Sequence, residues 1–316
     1  MKKIFFITSF ILVFINNFCL ANYDWLLFSP DGKYFIVQSY RNYIYVGEFS
    51  AKSKKFIRKI SLPSNAFGFN IVNINSKNIF VSFPYQNEEK THIEGYQLWT
   101  LDFKGKAIQK IPAVDDTVSW NFKYICKSEE HGKIGLYQLI NNESTLIYKL
   151  SSDDLCNNID FSRKGNLFAY VDITTKEKQG VSIINLNNGK IIRRISIDRK
   201  GGLLPVSLVK FSPDNKFLAI GTIYGLTLYS LSENKTYYMN YGEVSVNNIA
   251  FSQDGRYIAV DFSDIVRIYS LKNYELIKEK SFHGASIRGL SFSPDGKNLG
   301  ILYFENEEPT VKFLSI

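Results

Sequence analysis

The residues of this chain best suited to chemistry are carboxylates in three short clusters: Asp115-Asp116, Glu129-Glu130-His131 and Asp153-Asp154. Gathered in one place, these six carboxylates and one imidazole would suit a hard cation such as Ca²⁺ or Mg²⁺, or would dock a basic peptide. Their spacing is that of no dedicated metal loop, and solvated loop tips are the plainer reading of the same residues. A second set is aromatic and basic: Tyr40-Arg41-Asn42, Ile223-Tyr224 and Tyr241-Gly242-Glu243. Tyr and Arg are the types that most often anchor protein interfaces, although most aromatics of a chain this rich in them belong to its core. The sequence has no CxxCH, CxxC, HExxH, Walker loop, GxGxxG or Gly-x-Ser-x-Gly elbow, and only three histidines, His92, His131 and His283. Haem, zinc-peptidase, nucleotide and serine-hydrolase chemistry therefore lack their usual residues. No catalytic residue, metal ligand or cofactor is assigned on this reading.

What positions these loops is a repeated hexapeptide. Phe-Ser-Pro-Asp-Gly-Lys stands at Phe28–Lys33 and again at Phe292–Lys297, with variants at Phe211–Lys216, Phe251–Arg256 and Phe161–Asn166. Each copy lies between two apolar runs, as a β-hairpin requires. Pro fits the first central position of a type I turn, Asp the second, and Gly takes φ > 0 without a Cβ clash. Degraded copies at Val72–Val81 and Val118–Lys127 complete a series of seven units. Each unit carries two further short segments rich in β-branched and aromatic residues, and no long stretch has helical period. Four short strands repeated seven times at this spacing predict an all-β, seven-bladed β-propeller of four-stranded antiparallel blades. The seventh unit ends at its third segment, Val311–Ile316. Its blade is therefore expected to have three strands, or to gain a stub from Asn22–Asp24.

The chain resembles the WD40 family from residue 22 onward. Asp264 lies 13 residues after Phe251 and Ile268-Tyr269-Ser270-Leu271 stands where that family has Ile-Trp-Asp-Leu; Leu98-Trp99-Thr100-Leu101 holds the same place in the second unit. His283 occupies the place of the family's Gly-His histidine, with its Gly after rather than before it. No unit carries the full His, Asp and Trp-Asp set, and the hairpin motif is equally at home in TolB-like propellers. The resemblance implies an interaction platform without chemistry of its own.

Met1–Ala21 reads as a signal peptide: Lys2-Lys3, an apolar run over Ile4–Ile15, and Cys19-Leu20-Ala21 with small residues where a signal peptidase cuts. The run is short for a membrane span; an uncleaved anchor reaching Leu20 is one other reading, and a lipoprotein on Cys19 another, although Phe18 stands where that would want a small residue. Residues 22–316 form the propeller domain. Loss of Lys2 and Lys3 with the leader lowers the formal net charge from +8 to +6. The basic residues are scattered over turns and outer strands, where lysines block edge-to-edge aggregation; a polyanion-binding rim is the alternative. The leader also permits a Cys126–Cys156 disulfide, and two independently buried thiols fit as well.

In a propeller the loops joining fourth to first strands and second to third strands emerge on one face. This places Asp115, Asp116, Glu129, Glu130, His131, Asp153 and Asp154 on one sector, with Tyr40, Arg41 and Tyr224 on others. The expected function is that of an exported, periplasmic or secreted, non-catalytic platform. Its loop face would bind a protein partner, with neither nucleic acid nor stable membrane insertion. The alternative is a lactonase- or dehydrogenase-like propeller enzyme with a metal-assisted site at the central channel.

Overall fold

The computed structural model describes residues 25–316 except 40–42, 63–69, 87–92, 113–116, 120–122, 129–133, 141–142, 151–158, 176–177, 200–201, 204–205, 240–243 and 307. Seven antiparallel sheets follow one another along the chain as blades 1 to 7. Six have four strands in sequential order and the seventh has three. The blade 1 strands are Leu26–Phe28, Tyr34–Gln38, Tyr43–Phe49 and Lys54–Ser61. Those of blade 6 are Ile249–Phe251, Tyr257–Phe262, Ile265–Ser270 and Leu276–Ser281. Blade 7 stops after Ile287–Phe292, Asn298–Glu305 and Glu308–Ser315. The degraded units form blades too: blade 2 opens with Asn70–Ile74 and Asn78–Gln86, blade 3 with Thr117–Val118 and Tyr124–Ser128.

The hexapeptide builds one face of the ring. In each clear copy the residue in the fifth place donates its N–H to the Ser carbonyl at 2.8–3.0 Å, closing the turn. That residue has positive φ: Gly32 at 70°, Gly165 at 68°, Gly255 at 71° and Gly296 at 69°, with Asn215 accepting 61° where Gly is missing. The Ser side chain is the second half of the device. Ser29, Ser162, Ser212, Ser252 and Ser293 are buried. Each accepts the N–H that opens the second strand at 2.9–3.0 Å. Four of them also donate to the turn Asp at 2.6–2.7 Å. Blade 2 reaches the same result with Asn75, whose Oδ1 accepts from the N–H groups of Lys77 and Asn78.

Successive turns touch around this face. Asn215 Nδ2 donates to Asn166 Oδ1 at 2.9 Å. A Cβ added to Gly255 would lie 3.1 Å from Asp214 Oδ2, one added to Gly296 3.0 Å from Asp254 Oδ2, and one on Gly32 3.6 Å from Pro294. The last contact joins blade 7 to blade 1. Closure continues in a core of Leu26, Phe28, Phe35, Val37 and Leu302, with Trp25, Phe304, Val311 and Phe313 packed against it. Phe313 meets Phe35 at 5.2 Å and Phe28 at 6.0 Å between ring centroids. Trp25, which starts the innermost strand, packs edge-on against Phe304 at 6.4 Å. Aromatic packing of this kind adds to the apolar area buried. It ties the first and last blades together without a shared sheet among the described residues.

Corresponding apolar layers lie between blades 1 and 2, 3 and 4, 4 and 5, 5 and 6, and 6 and 7. Cys126 is a free, buried thiol in the layer between blades 3 and 4, and Cys156, the other half of the expected bridge, lies outside the described residues. A small two-stranded sheet, Asp198–Arg199 with Gly202–Leu203, occupies the connection between blades 4 and 5. Nothing in the sequence pattern names it, but the 50-residue interval from Phe161 to Phe211 has to hold something extra.

Candidate functional site

The face opposite the turns carries the connections between blades. Of the residues expected to act there, Asp115, Asp116, Glu129, Glu130, His131, Asp153, Asp154, Tyr40 and Arg41 lie outside the described residues. Tyr224 is described. It follows Ile223 in the tight turn between the second and third strands of blade 5, Phe217–Thr222 and Gly225–Ser230. Thr222 fixes this turn: its Oγ1 donates to the Gly225 carbonyl and accepts the Tyr224 N–H, both at 3.1 Å. The Tyr224 ring is half-buried against the layer between blades 4 and 5, while Ile223 is 38% exposed.

Val244–Asn248, leading into blade 6, lies beside this turn. Val246 N–H donates to Thr222 O at 3.0 Å, and Ser207 Oγ donates to Val246 O. The end of the segment is held by Asp261, a buried carboxylate at the loop end of blade 6. Its Oδ1 accepts the N–H groups of Asn247 and Asn248 at 2.8 and 2.7 Å, and its Oδ2 accepts from Asn248 Nδ2 at 2.7 Å. Asn248 also donates to Ile287 O of blade 7 at 3.3 Å. Burial pushes Asp261 up to about 6, against the pull of these three donors toward the ionised form. The sequence signal for Asp261 is an acidic residue next to the end of an otherwise apolar strand.

The WD40-like pair resolves differently from the resemblance. Asp264 Oδ2 accepts the backbone N–H of Gly284 at 2.8 Å, and Asp264 O accepts that of Phe282. His283 sits at φ 45° with its side chain exposed. Because Gly follows the His, the glycine amide rather than the imidazole meets the carboxylate.

One further polar group lies between blades 3 and 4. Asp172, buried, accepts from Ser182 Oγ at 2.7 Å and lies 4.0 Å from Arg194 Nε. Its Oδ1 and the neighbouring Tyr170 hydroxyl are buried without partners among the described residues. Burial, then the charge of Asp172, pushes the Tyr170 phenol upward. Among the described residues no three His, Cys, Asp or Glu side chains are grouped to hold a metal ion, and no helix is long and apolar enough to cross a membrane.

The fold and faces define a seven-bladed β-propeller with a WD40-type fold. Many solved structures are similar to the chain, and two of them cover nearly all of it. One is a chain of Kuenenia stuttgartiensis hydrazine synthase, with TM-score 0.64 and 15% identity, covering 96% of this chain and 99% of that one. The other is the Cps50 (Swd1) β-propeller domain of Myceliophteria thermophila, with TM-score 0.63 and 14% identity, covering 94% and 97%. At these identities the likeness is one of fold. No protein-family model and no curated protein matches the chain.

Proposed function

We propose that this protein is an exported, non-catalytic interaction platform whose loop face binds a protein partner. The observation that carries the reading is the blade 5 turn. Thr222 and Val246 hold Ile223 and Tyr224 in a fixed geometry, and an apolar side chain stands exposed beside a half-anchored aromatic. Preformed apolar and aromatic anchors of this kind cost little ordering entropy on association. The acidic sector from Asp115 to Asp154 and the Tyr40-Arg41 pair complete the proposed face. Met1–Ala21 would direct the chain to the periplasm or outside the cell and leave a mature protein starting at Asn22. No cofactor, nucleic acid or stable membrane insertion enters this reading.

The test places a photo-crosslinking amino acid at Tyr224 and, separately, at Lys216 on the turn face, in cells making the full chain. A specific adduct from position 224 and none from 216 supports the loop face; adducts from 216 alone, or from neither, refute it. N-terminal sequencing of the same material should begin at Asn22; retention of Met1–Ala21 would overturn the export reading.

A further inference from the structure

Blade 7 exposes what every other blade covers. Its third strand, Glu308–Ser315, pairs with Asn298–Glu305 on one side and with no strand on the other among the described residues. Strand register equates Val311 and Phe313 with Val266 and Ile268 of blade 6 and with Leu226 and Leu228 of blade 5. Those four are fully buried, beneath the fourth strand of their blade; Val311 and Phe313 are only half-buried.

The backbone of this edge has the polarity a further strand needs. Ile316 N–H points inward, to Lys297 O at 2.9 Å. Alternation then turns Leu314 and Lys312 inward, and the N–H and C=O groups of Ser315, Phe313 and Val311 outward. Blade 6 shows the complete arrangement. Ser270, the counterpart of Ser315, donates to Glu275 O and accepts from Tyr274 N–H, both at 2.9 Å. In blade 7 the Ser315 carbonyl is instead taken by Lys278 Nζ, reaching over from the outer strand of blade 6. Pro309 and a charge on the strand are devices that blunt edges. Here Pro309 lies beyond Val311, and Lys312 Nζ lies over the Phe282 ring at 5.6 Å, so among the described residues the outward groups of Val311 and Phe313 and the Ser315 N–H stay open.

Charge indicates the occupant. The outer strand of blade 1 carries Lys54, Lys55, Arg58 and Lys59 and no acidic residue. Lys54 Nζ lies 5.6 Å from the Phe313 ring centroid, at the edge itself. The outer strand of blade 6 carries Lys278 and Lys280, and its one acid, Glu279, is paired with Arg267 at 2.6 Å. Both flanks of the gap are basic, and apolar side chains line its floor.

We propose that Val311–Ser315 is a strand-addition site for an extended segment of a protein partner whose side chains alternate apolar and acidic. Backbone hydrogen bonds to Val311, Phe313 and the Ser315 N–H would supply affinity, and the basic flanks would select the acidic sequence. This surface lies on the rim of the ring, apart from the loop face, and stands or falls independently of it.

The test titrates the protein, as isolated from its own cells, with a peptide of about eight residues alternating Val and Glu, a usual strand length. Controls replace Glu by Lys, or the central Val by Pro. Amide exchange is read residue by residue. The Glu peptide should slow exchange at 311, 313 and 315 by about tenfold or more and leave 310, 312 and 314 as they were. The Lys and Pro peptides should do neither. Val311→Pro removes an outward donor and should abolish binding; should it unfold the chain, Lys54→Glu with Lys278→Glu should shift preference to the Lys peptide. The proposal is overturned if no peptide protects the edge, or if Glu and Lys peptides bind alike. It also falls if 311, 313 and 315 are already protected in the isolated protein. In that case a monomer by sedimentation would assign the edge to the chain's own residues, and a dimer to a second copy.

Discussion

The two faces of the ring are built by opposite means. On the turn face one solution is repeated: a buried Ser, a type I turn, a carboxylate bonded to that Ser, and a residue with positive φ. Neighbouring turns touch, so each supports the next. On the loop face the described connections are held in several different ways, although Asp261 and Asp264 both act as carboxylates that accept backbone N–H groups of a connection. Thr222 fixes one, Asp261 another, the backbone of Gly284 a third, and a two-stranded sheet fills a fourth. Repetition marks what the architecture needs, and departure from it leaves room for a partner to be recognised. If so, substitutions on the turn half should act on stability, and substitutions on the loop half on binding.

The largest stability effect should come at the turn end of the closing seam. A Cβ on Gly47 would stand 1.9 Å from Phe35 Cζ, inside the aromatic cluster that joins blades 7 and 1. Gly47→Ala should therefore cost about 3 kcal/mol, at the upper end of overpacking effects, measured by urea unfolding. A loss below about 1 kcal/mol would show that the seam yields more easily than a packed core does.

Next in size is Ser252→Ala. It removes the acceptor of Tyr257 N–H and the donor to Asp254, and should cost about 1–2 kcal/mol. The same change at Ser212 or Ser293 should cost a similar amount, because the geometry is the same; a wide spread would break the claim of one repeated device.

Acidity should separate the faces by sign. Partial burial opposes the charge on Asp31, Asp214 and Asp254, but hydroxyl and amide donors with the adjacent Lys or Arg outweigh it and leave each below its ordinary value. Asp295 is lowered first by the Ser293 hydroxyl. Their contribution is present above the unfolded value of 3.8 and is lost as pH falls below it through the folded values. Asp261 behaves oppositely. With its folded value raised to about 6, its contribution is full below 3.8 and declines as pH rises through 6. Carboxyl carbon shifts followed by NMR should show Asp261 titrating near pH 6, with the Asn247 and Asn248 amides moving alongside. A titration of Asp261 below pH 4 would contradict this.

The smallest stability effect should be that of Ile223→Asp. The side chain is exposed at a turn tip, so the change should stay within about 0.5 kcal/mol while weakening partner binding by about tenfold or more.

The turn face was legible in the sequence because a type I turn followed by a positive-φ residue imposes residue types at fixed places, and Phe-Ser-Pro-Asp-Gly-Lys supplies them. Strand positions followed from that ruler even in blades 2 and 3, where only the apolar run and a Lys survive, since the blade must still present an apolar face. The three-stranded blade 7 was legible for the same reason. The Ser hydroxyl went unread although Ser stands second in all five clear copies: its role depends on burial, which composition does not reveal. Asp261 and the Asp198–Leu203 hairpin were hidden because each satisfies one local set of backbone groups and recurs nowhere else. His283 misled because the order of Gly and His decides which group reaches Asp264. Of the proposed binding residues only Tyr224 is among those described, in a turn whose Thr222 anchor the residue pattern did not single out.

The most direct test of the division between faces is a paired measurement on Ser252→Ala and Ile223→Asp. Thermal unfolding and partner crosslinking from position 224 would be recorded for both variants and the native chain. The account predicts that Ser252→Ala melts several degrees lower, by about 3–6 °C, with its crosslink unchanged. Ile223→Asp should melt with the native chain and lose the crosslink. Loss of stability and of crosslinking together in both variants, or loss of the crosslink in Ser252→Ala alone, would contradict it.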